Sequence, residues 1–60
     1  MKIEDIKRLE GQVVTDDEFV EIEESEDVTS MQYNGHSGLY YNKQWFTVGL
    51  IDGSEVDIYV

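Results

Sequence analysis

Carboxylates dominate one short stretch of this chain. Eight of the twelve residues from Asp16 to Asp27 are acidic and none is basic; we call this segment the acidic run. Carboxylates at this density can bind a cation, transfer a proton, or present a row of negative charge to a basic surface. The acids of the run are Asp16, Asp17, Glu18, Glu21, Glu23, Glu24, Glu26 and Asp27.

We predict that these acids neither bind a metal ion nor take part in catalysis. Calcium needs a loop that folds its ligands around one point, whereas consecutive acids on an extended chain diverge, so we predict no metal and no cofactor. The single histidine, His36, lies beside Ser37, and adjacent loop residues seldom form a nucleophile–base pair. A chain of 60 residues also has little room for a substrate pocket. We therefore predict that the protein is not an enzyme.

The composition predicts one folded domain over residues 1–60. The chain is 40% hydrophobic and 12% aromatic, which is too rich in apolar residues for a disordered acidic tail. It has no cysteine, so no disulfide supports the fold. Its net charge of −10 repels nucleic acid and anionic membranes and attracts a basic protein surface. No long apolar segment suggests a membrane span or a signal peptide, and we expect a cytoplasmic location.

A helix is predicted over residues 2–10, before the acidic run. Ile3, Ile6 and Leu9 recur every three residues and form a narrow apolar stripe. Gly11 is a suitable stop, because glycine readily adopts the left-handed conformation that ends many helices. A helix this short does not persist alone in water, so it must dock on the rest of the fold.

From residue 12 onward the pattern favours strands. Phe19–Glu23 alternates apolar and acidic side chains, and Val28–Tyr33 is a second candidate strand after a loop at 24–27. Further strand segments are predicted at 39–41, 44–46, 47–51 and 55–60, after a turn cluster at 34–38 and around turns at 42–43 and 52–53. Asp52-Gly53 favours a type I′ hairpin turn, in which both central residues need positive φ.

Together these elements predict an α+β fold, with the short helix packed on a four- to five-stranded antiparallel meander over residues 12–60. An open sheet is preferred, because the helix needs an apolar face to cover, and a small SH3-like β-barrel is the alternative. Glu21 and Glu23 would share one face of a strand at a pitch of about 6.6–6.8 Å, similar to that of successive backbone phosphates. The other acids of the run would extend this row in both directions.

The aromatic residues are the second candidate feature. Tyr40 and Tyr41 are adjacent, as are Trp45 and Phe46, and adjacent residues of a strand point to opposite faces. We expect Trp45 in the core and Tyr40 or Tyr41 partly exposed. Exposed tyrosines are favoured interface anchors, so Tyr40 and Tyr41 join the eight acids as predicted partner-binding residues.

In size, charge and β content the chain resembles a group of small acidic phage-encoded inhibitors that imitate nucleic acid. The group includes some uracil-DNA glycosylase inhibitors, restriction inhibitors and anti-CRISPR proteins. The resemblance covers the composition and the acidic run. It implies a protein that occupies the basic nucleic-acid-binding groove of a host protein, with an anti-defence role as its specific form.

The alternative function is a structural or assembly module, either a homodimer or larger homo-oligomer or a small subunit of a larger complex. Its acidity would then serve solubility. The terminal segment 57–60 would form an exposed sheet edge that pairs with a second copy.

Overall fold

The computed structural model describes all 60 residues and contains two helices and four strands. In chain order they are α1 (Ile3–Lys7), β1 (Gln12–Val13), α2 (Asp16–Glu23), β2 (Val28–His36), β3 (Gln44–Leu50) and β4 (Glu55–Tyr59). The strands form one open sheet in the order β1-β4-β3-β2. The predicted α+β class is confirmed. The sheet is mixed rather than purely antiparallel, because β1 runs parallel to β4, and it does not close into a barrel.

Helix α1 forms where the apolar stripe predicts it, but it is shorter than residues 2–10. Ile6 is its fully buried residue. After Lys7 the chain continues in turns, in which Leu9 N–H donates to the Ile6 carbonyl at 2.9 Å. Gly11 adopts φ +73°, but it lies in the turns beyond the C-cap residue Arg8, so the prediction that Gly11 stops the helix at C′ was wrong.

The largest departure from the sequence prediction lies in the acidic run. Phe19–Glu23, predicted as a strand, belongs to helix α2. The helix begins with a capping box: Thr15 Oγ1 accepts from the Glu18 N–H at 3.1 Å, and Glu18 Oε1 accepts from the Thr15 N–H at 2.9 Å. Phe19 and Ile22, three residues apart, face the core. The strand prediction was wrong because the same residues also fit a helix, in which Phe19 and Ile22 share one side and Val20 points outward, and the capping box favours the helix.

Both helices pack on one face of the sheet, with the core between them. Phe19 of α2 contacts Phe46 of β3, with ring centroids 4.9 Å apart. Strand pairing sets Phe46 opposite Ile58 and Trp45 opposite Tyr59, so these two pairs lie on opposite faces. We call the two sides of the sheet the helix-covered face and the open face. Seven buried residues form the core: Ile6, Val14, Ile22, Val48, Leu50, Val56 and Ile58.

The β2–β3 hairpin is longer than the sequence predicts. Strand β2 continues through His36, so most of the predicted 34–38 turn is strand, and the predicted 39–41 strand lies in the connecting loop 37–43. The β3–β4 hairpin is confirmed, but its turn is not type I′, because Gly53 has positive φ and Asp52 does not. Strand β4 lies between β1 and β3, so the predicted exposed terminal edge is wrong.

Neither helix is long and apolar enough to cross a membrane.

One ion pair joins helix α1 to the β3–β4 turn. Lys7 Nζ of α1 contacts Asp52 Oδ2 in the β3–β4 turn, and the Ser54 N–H and hydroxyl donate to Asp52 Oδ1. The hydrogen bond from Lys7, and then those from Ser54, hold the pKa of the Asp52 carboxyl well below its ordinary range. The charged carboxylate therefore anchors α1 to the turn.

We predict that Asp52→Asn lowers the melting temperature at neutral pH. A carboxyl with a depressed folded-state pKa contributes stability that is complete above its unfolded pKa, about 3.9, and is lost as the pH falls through the folded value. The difference in melting temperature between the wild type and Asp52→Asn should therefore shrink below about pH 4. Circular dichroism melts from pH 7 downward measure it. A difference that stays constant into acid would show that the pair does not stabilise the fold.

Candidate protein-binding surface

Helix α2 distributes the acids of the run differently from a strand. Residues two apart on a helix are turned by about 200°, so Glu21 and Glu23 do not share a face, and the predicted phosphate-like row between them is wrong. Asp17, Glu21 and Glu24 instead recur at i, i+4 and i+7 on the solvent side of α2, and all three are exposed. We call these three residues the acidic helix face. Neighbours on this face have Cβ atoms about 5–6 Å apart.

Two of the eight acids hold the fold together. Glu18 completes the capping box of α2. Asp27 Oδ2 accepts from the Ile3 N–H at 2.9 Å, and the Asp27 carbonyl accepts from the Ile51 N–H at 3.0 Å, which ties the start of the chain and the β3–β4 turn to the connection before β2. The structure therefore gives these two carboxyl-bearing residues a role within the chain.

The first-turn acids Asp16 and Asp17 are also favourable for the helix. Negative charge near a helix N-terminus complements the partial positive charge of its free N–H groups. Both side chains are exposed. Their presence therefore stabilises α2 whether or not they also bind a partner.

The remaining four acids have no such explanation: Glu21, Glu23, Glu24 and Glu26. All four are exposed, and none of their carboxylates makes a hydrogen bond or an ion pair within the chain. They lie in the last turn of α2 or just beyond it, where no basic residue is present. Negative charge there faces the negative end of the helix dipole, and neighbouring glutamates repel one another. These four glutamates therefore oppose folding and are free to meet a partner.

The loop 37–43, which joins β2 to β3, is held by its own hydrogen bonds. Ser37 Oγ accepts from the Leu39 and Tyr40 N–H groups at 3.0 and 3.1 Å, and the Ser37 N–H donates to the Lys43 carbonyl at 2.8 Å. Asn42 adopts φ +60°, a left-handed conformation that asparagine tolerates. The Ser37 hydroxyl thus organises the loop.

The two predicted tyrosine anchors differ in their surroundings. The Tyr40 ring packs against Tyr59 at 4.9 Å between centroids, and its hydroxyl donates to the Gly11 carbonyl at 3.1 Å. Tyr41 is 91% exposed and its neighbour Leu39 is 75% exposed. The fixed Tyr40 therefore holds a loop whose tip presents Leu39 and Tyr41 to solvent.

The acids and the tyrosines do not form one continuous site. Helix α2 lies on the helix-covered face, through Phe19 and Phe46, whereas Tyr40 covers Tyr59 on the open face. The structure thus offers two separate surfaces on opposite sides of the sheet. A partner with one flat surface would therefore contact either the acidic helix face or the loop tip, but not both.

Trp45 also lies on the open face and outside the core, so its predicted core position is wrong. Its indole Nε1 is buried without a hydrogen-bond partner. Beside it, Asn34 Nδ2 donates to Thr47 Oγ1 at 2.7 Å, and that hydroxyl donates to Asp57 Oδ1 at 2.9 Å. This chain of bonds links the side chains of β2, β3 and β4.

Val20 and Leu39 are among the exposed apolar residues that sequence reasoning missed. Val20 is 48% exposed and lies among the residues of the acidic helix face, three positions after Asp17 and four before Glu24. The capping-box spacing of Thr15 and Glu18 was the available signal, because it predicts a helix and so places Val20 outward.

A depression of about 390 Å³ lies where the start of the chain meets the α2–β2 connection. Its lining includes Lys2, Glu24 and Glu26. No group of three or more His, Asp or Glu side chains in the chain is arranged to hold a metal ion.

No family model matches the chain, and neither the curated proteins nor the solved structures include one that is significantly similar to it.

The two ends of α2 should respond in opposite ways to the same charge change. We predict that Glu24→Lys raises the free energy of unfolding by about 0.5–1 kcal/mol, because it complements the helix C-terminus and attracts Glu21. Asp16→Lys should lower it by a similar amount. Both substitutions are at exposed sites and change the net charge equally, so urea unfolding of the pair isolates the helix-end effect. Equal stabilisation by both would show that only total charge matters.

Proposed function

We propose that this chain is a small binding protein whose acidic helix face docks on a basic surface of a partner protein. The observation that carries the proposal is the set of free glutamates at the C-terminal end of α2, which have no partner within the chain and oppose its folding. Selection commonly retains destabilising residues where binding requires them.

The geometry suits electrostatic recognition with a small apolar contact. Asp17 and Glu24, three positions before and four after the exposed Val20, lie next to it on α2, so a partner would meet negative charge beside an apolar side chain. The field of a chain carrying −10 steers association with a basic surface, and added salt slows that association.

The specific form of the proposal is inhibition of a nucleic-acid-binding protein by occupation of its basic groove. Such grooves bind phosphates with arrays of Lys and Arg, and carboxylates on helix residues whose Cβ atoms are about 5–6 Å apart compete for the same cations. The free glutamates make the chain a ligand for the groove and a repellent for nucleic acid itself. An anti-defence inhibitor in the cytoplasm is one instance of this class.

The assembly alternative has lost the feature that first supported it. Its expected contact was an exposed terminal strand, but β4 lies inside the sheet between β1 and β3. The acidic face therefore carries the function proposed for the chain, and self-association remains an outcome for experiment.

Affinity capture tests this proposal. The wild-type chain is immobilised, a bacterial lysate is applied at low salt, and bound proteins are eluted with a salt gradient. We predict that nucleic-acid-binding proteins elute together and that added duplex DNA displaces them. The double variant Glu21→Gln/Glu24→Gln should retain at most about a tenth as much, because close charge pairs contribute strongly to such interfaces.

The matched control is Glu4→Gln/Glu55→Gln, which removes the same number of charges from exposed positions on α1 and β4. Retention by this control should match the wild type. Equal loss in both double variants would show that total charge, and no particular face, governs binding. Retention of the same proteins by all three chains in high salt would contradict the electrostatic proposal.

A further inference from the structure

The sheet has one long free edge, and it belongs to β2. The opposite edge is the two-residue strand β1, and short edge strands are a common protection against unwanted pairing. Strand β2 spans nine residues and pairs only with β3. Apart from that ladder, its backbone makes one hydrogen bond, from the Val28 N–H to the Ser25 carbonyl at 3.3 Å. The outward N–H and C=O groups beyond Val28 are therefore unpaired.

This edge lacks the charges that most free edges carry. Residues 28–42 contain no Asp, Glu, Lys or Arg, in a chain that is 30% charged, and they contain no proline. Edge strands are usually protected by such residues. Register irregularities between Val28 and Ser30 and between Tyr33 and His36 leave Ser30–Tyr33 as the regular stretch. That stretch offers room for an added strand of about four residues, roughly 13 Å long.

The free glutamates stand at the beginning of this edge. The α2–β2 connection leads directly into Val28, and Glu24 and Glu26 in it are exposed and unpaired. At the same connection, Asp27 is held by Ile3. A neutral hydrogen-bonding edge thus begins beside Glu24 and Glu26, which form no ion pair although Lys2 lines the same depression.

From this arrangement, and on the basis of the proposed function, we propose that β2 accepts an extended, basic segment of the partner protein as a fifth strand. Strand addition supplies main-chain hydrogen bonds along Ser30–Tyr33, and Lys or Arg side chains of the segment pair with Glu24 and Glu26. The exposed Tyr33 side chain contacts the added strand on the helix-covered face.

Charge decides between this occupant and a second copy of the chain. Two copies joined through β2 by a two-fold axis perpendicular to the sheet would place both α2 helices on the same side of the joint sheet. Each copy carries −10, so their acidic helices would repel. A basic segment meets the same edge with attraction.

A pair of synthetic peptides tests the proposal on the intact chain. One is acetyl-Lys-Val-Lys-Val-Lys-Val-amide, and the other has the same sequence with alternate backbone nitrogens methylated, which keeps the charge and removes strand-pairing donors. We expect the methylated peptide to bind at least about tenfold more weakly, because several main-chain hydrogen bonds are lost. Amide exchange followed by NMR should show new protection within residues 29–36 with the unmethylated peptide only.

Three other results would contradict the proposal that a basic segment adds to β2. If both peptides bind equally and Glu21→Gln/Glu24→Gln weakens both, strand addition is wrong and the acidic-surface proposal stands. If neither binds at low salt, both proposals fail for basic segments. If amides of residues 29–36 become protected as protein concentration rises without peptide, a second copy occupies the edge and the basic-segment inference is overturned.

Discussion

The structure depends on seven buried apolar side chains, because little else in the chain opposes the mutual repulsion of its acids. The chain has 14 acids and 4 basic residues, and its two ion pairs, Lys7–Asp52 and Arg8–Asp5, both lie outside the acidic run. A fully buried Ile or Val contributes about 1.5–3 kcal/mol, and a domain of this size is marginally stable. Most of that stability comes from the single interface between the two helices and one sheet face. The unpaired glutamates at the end of α2 are therefore a cost that the core must offset.

The acids affect the stability of α2 differently at its two ends. At the start of the helix the acids serve it, through the capping box of Thr15 and Glu18 and through the dipole. At its end, the glutamates oppose both the dipole and one another. The same end leads into the uncharged free edge of β2. The proposed basic partner would neutralise these glutamates and pair with the unpaired backbone groups of β2.

The sequence predicted the features that depend on local chemistry. The apolar stripe of Ile3 and Ile6 marks α1, and Asp52-Gly53 marks the β3–β4 hairpin, because Gly53 takes a positive φ that few other residues adopt. The sequence misled where two periods fitted the same residues. Val20 and Ile22 alternate as in a strand, while Phe19 and Ile22 share a helix face, and only the capping-box spacing separates the two readings. The two-residue β1 and the central position of β4 depend on long-range pairing that has no local signature. The predicted row of Glu21 and Glu23 was wrong because it assumed a strand where the chain forms a helix. The predicted exposure of Tyr40 or Tyr41 was correct.

The central claim is that the acidic charge of this chain opposes its own fold. The most direct test is the free energy of unfolding, measured in urea, as a function of sodium chloride from about 10 mM to 1 M, over which the Debye length falls from about 30 to 3 Å. We predict that stability rises steeply at low salt and levels off at a few hundred millimolar, as repulsion between neighbouring glutamates is screened. A free energy that is independent of salt, or that falls as salt is added, would contradict the claim, since it would show that the acids make no net repulsion or take part in stabilising ion pairs.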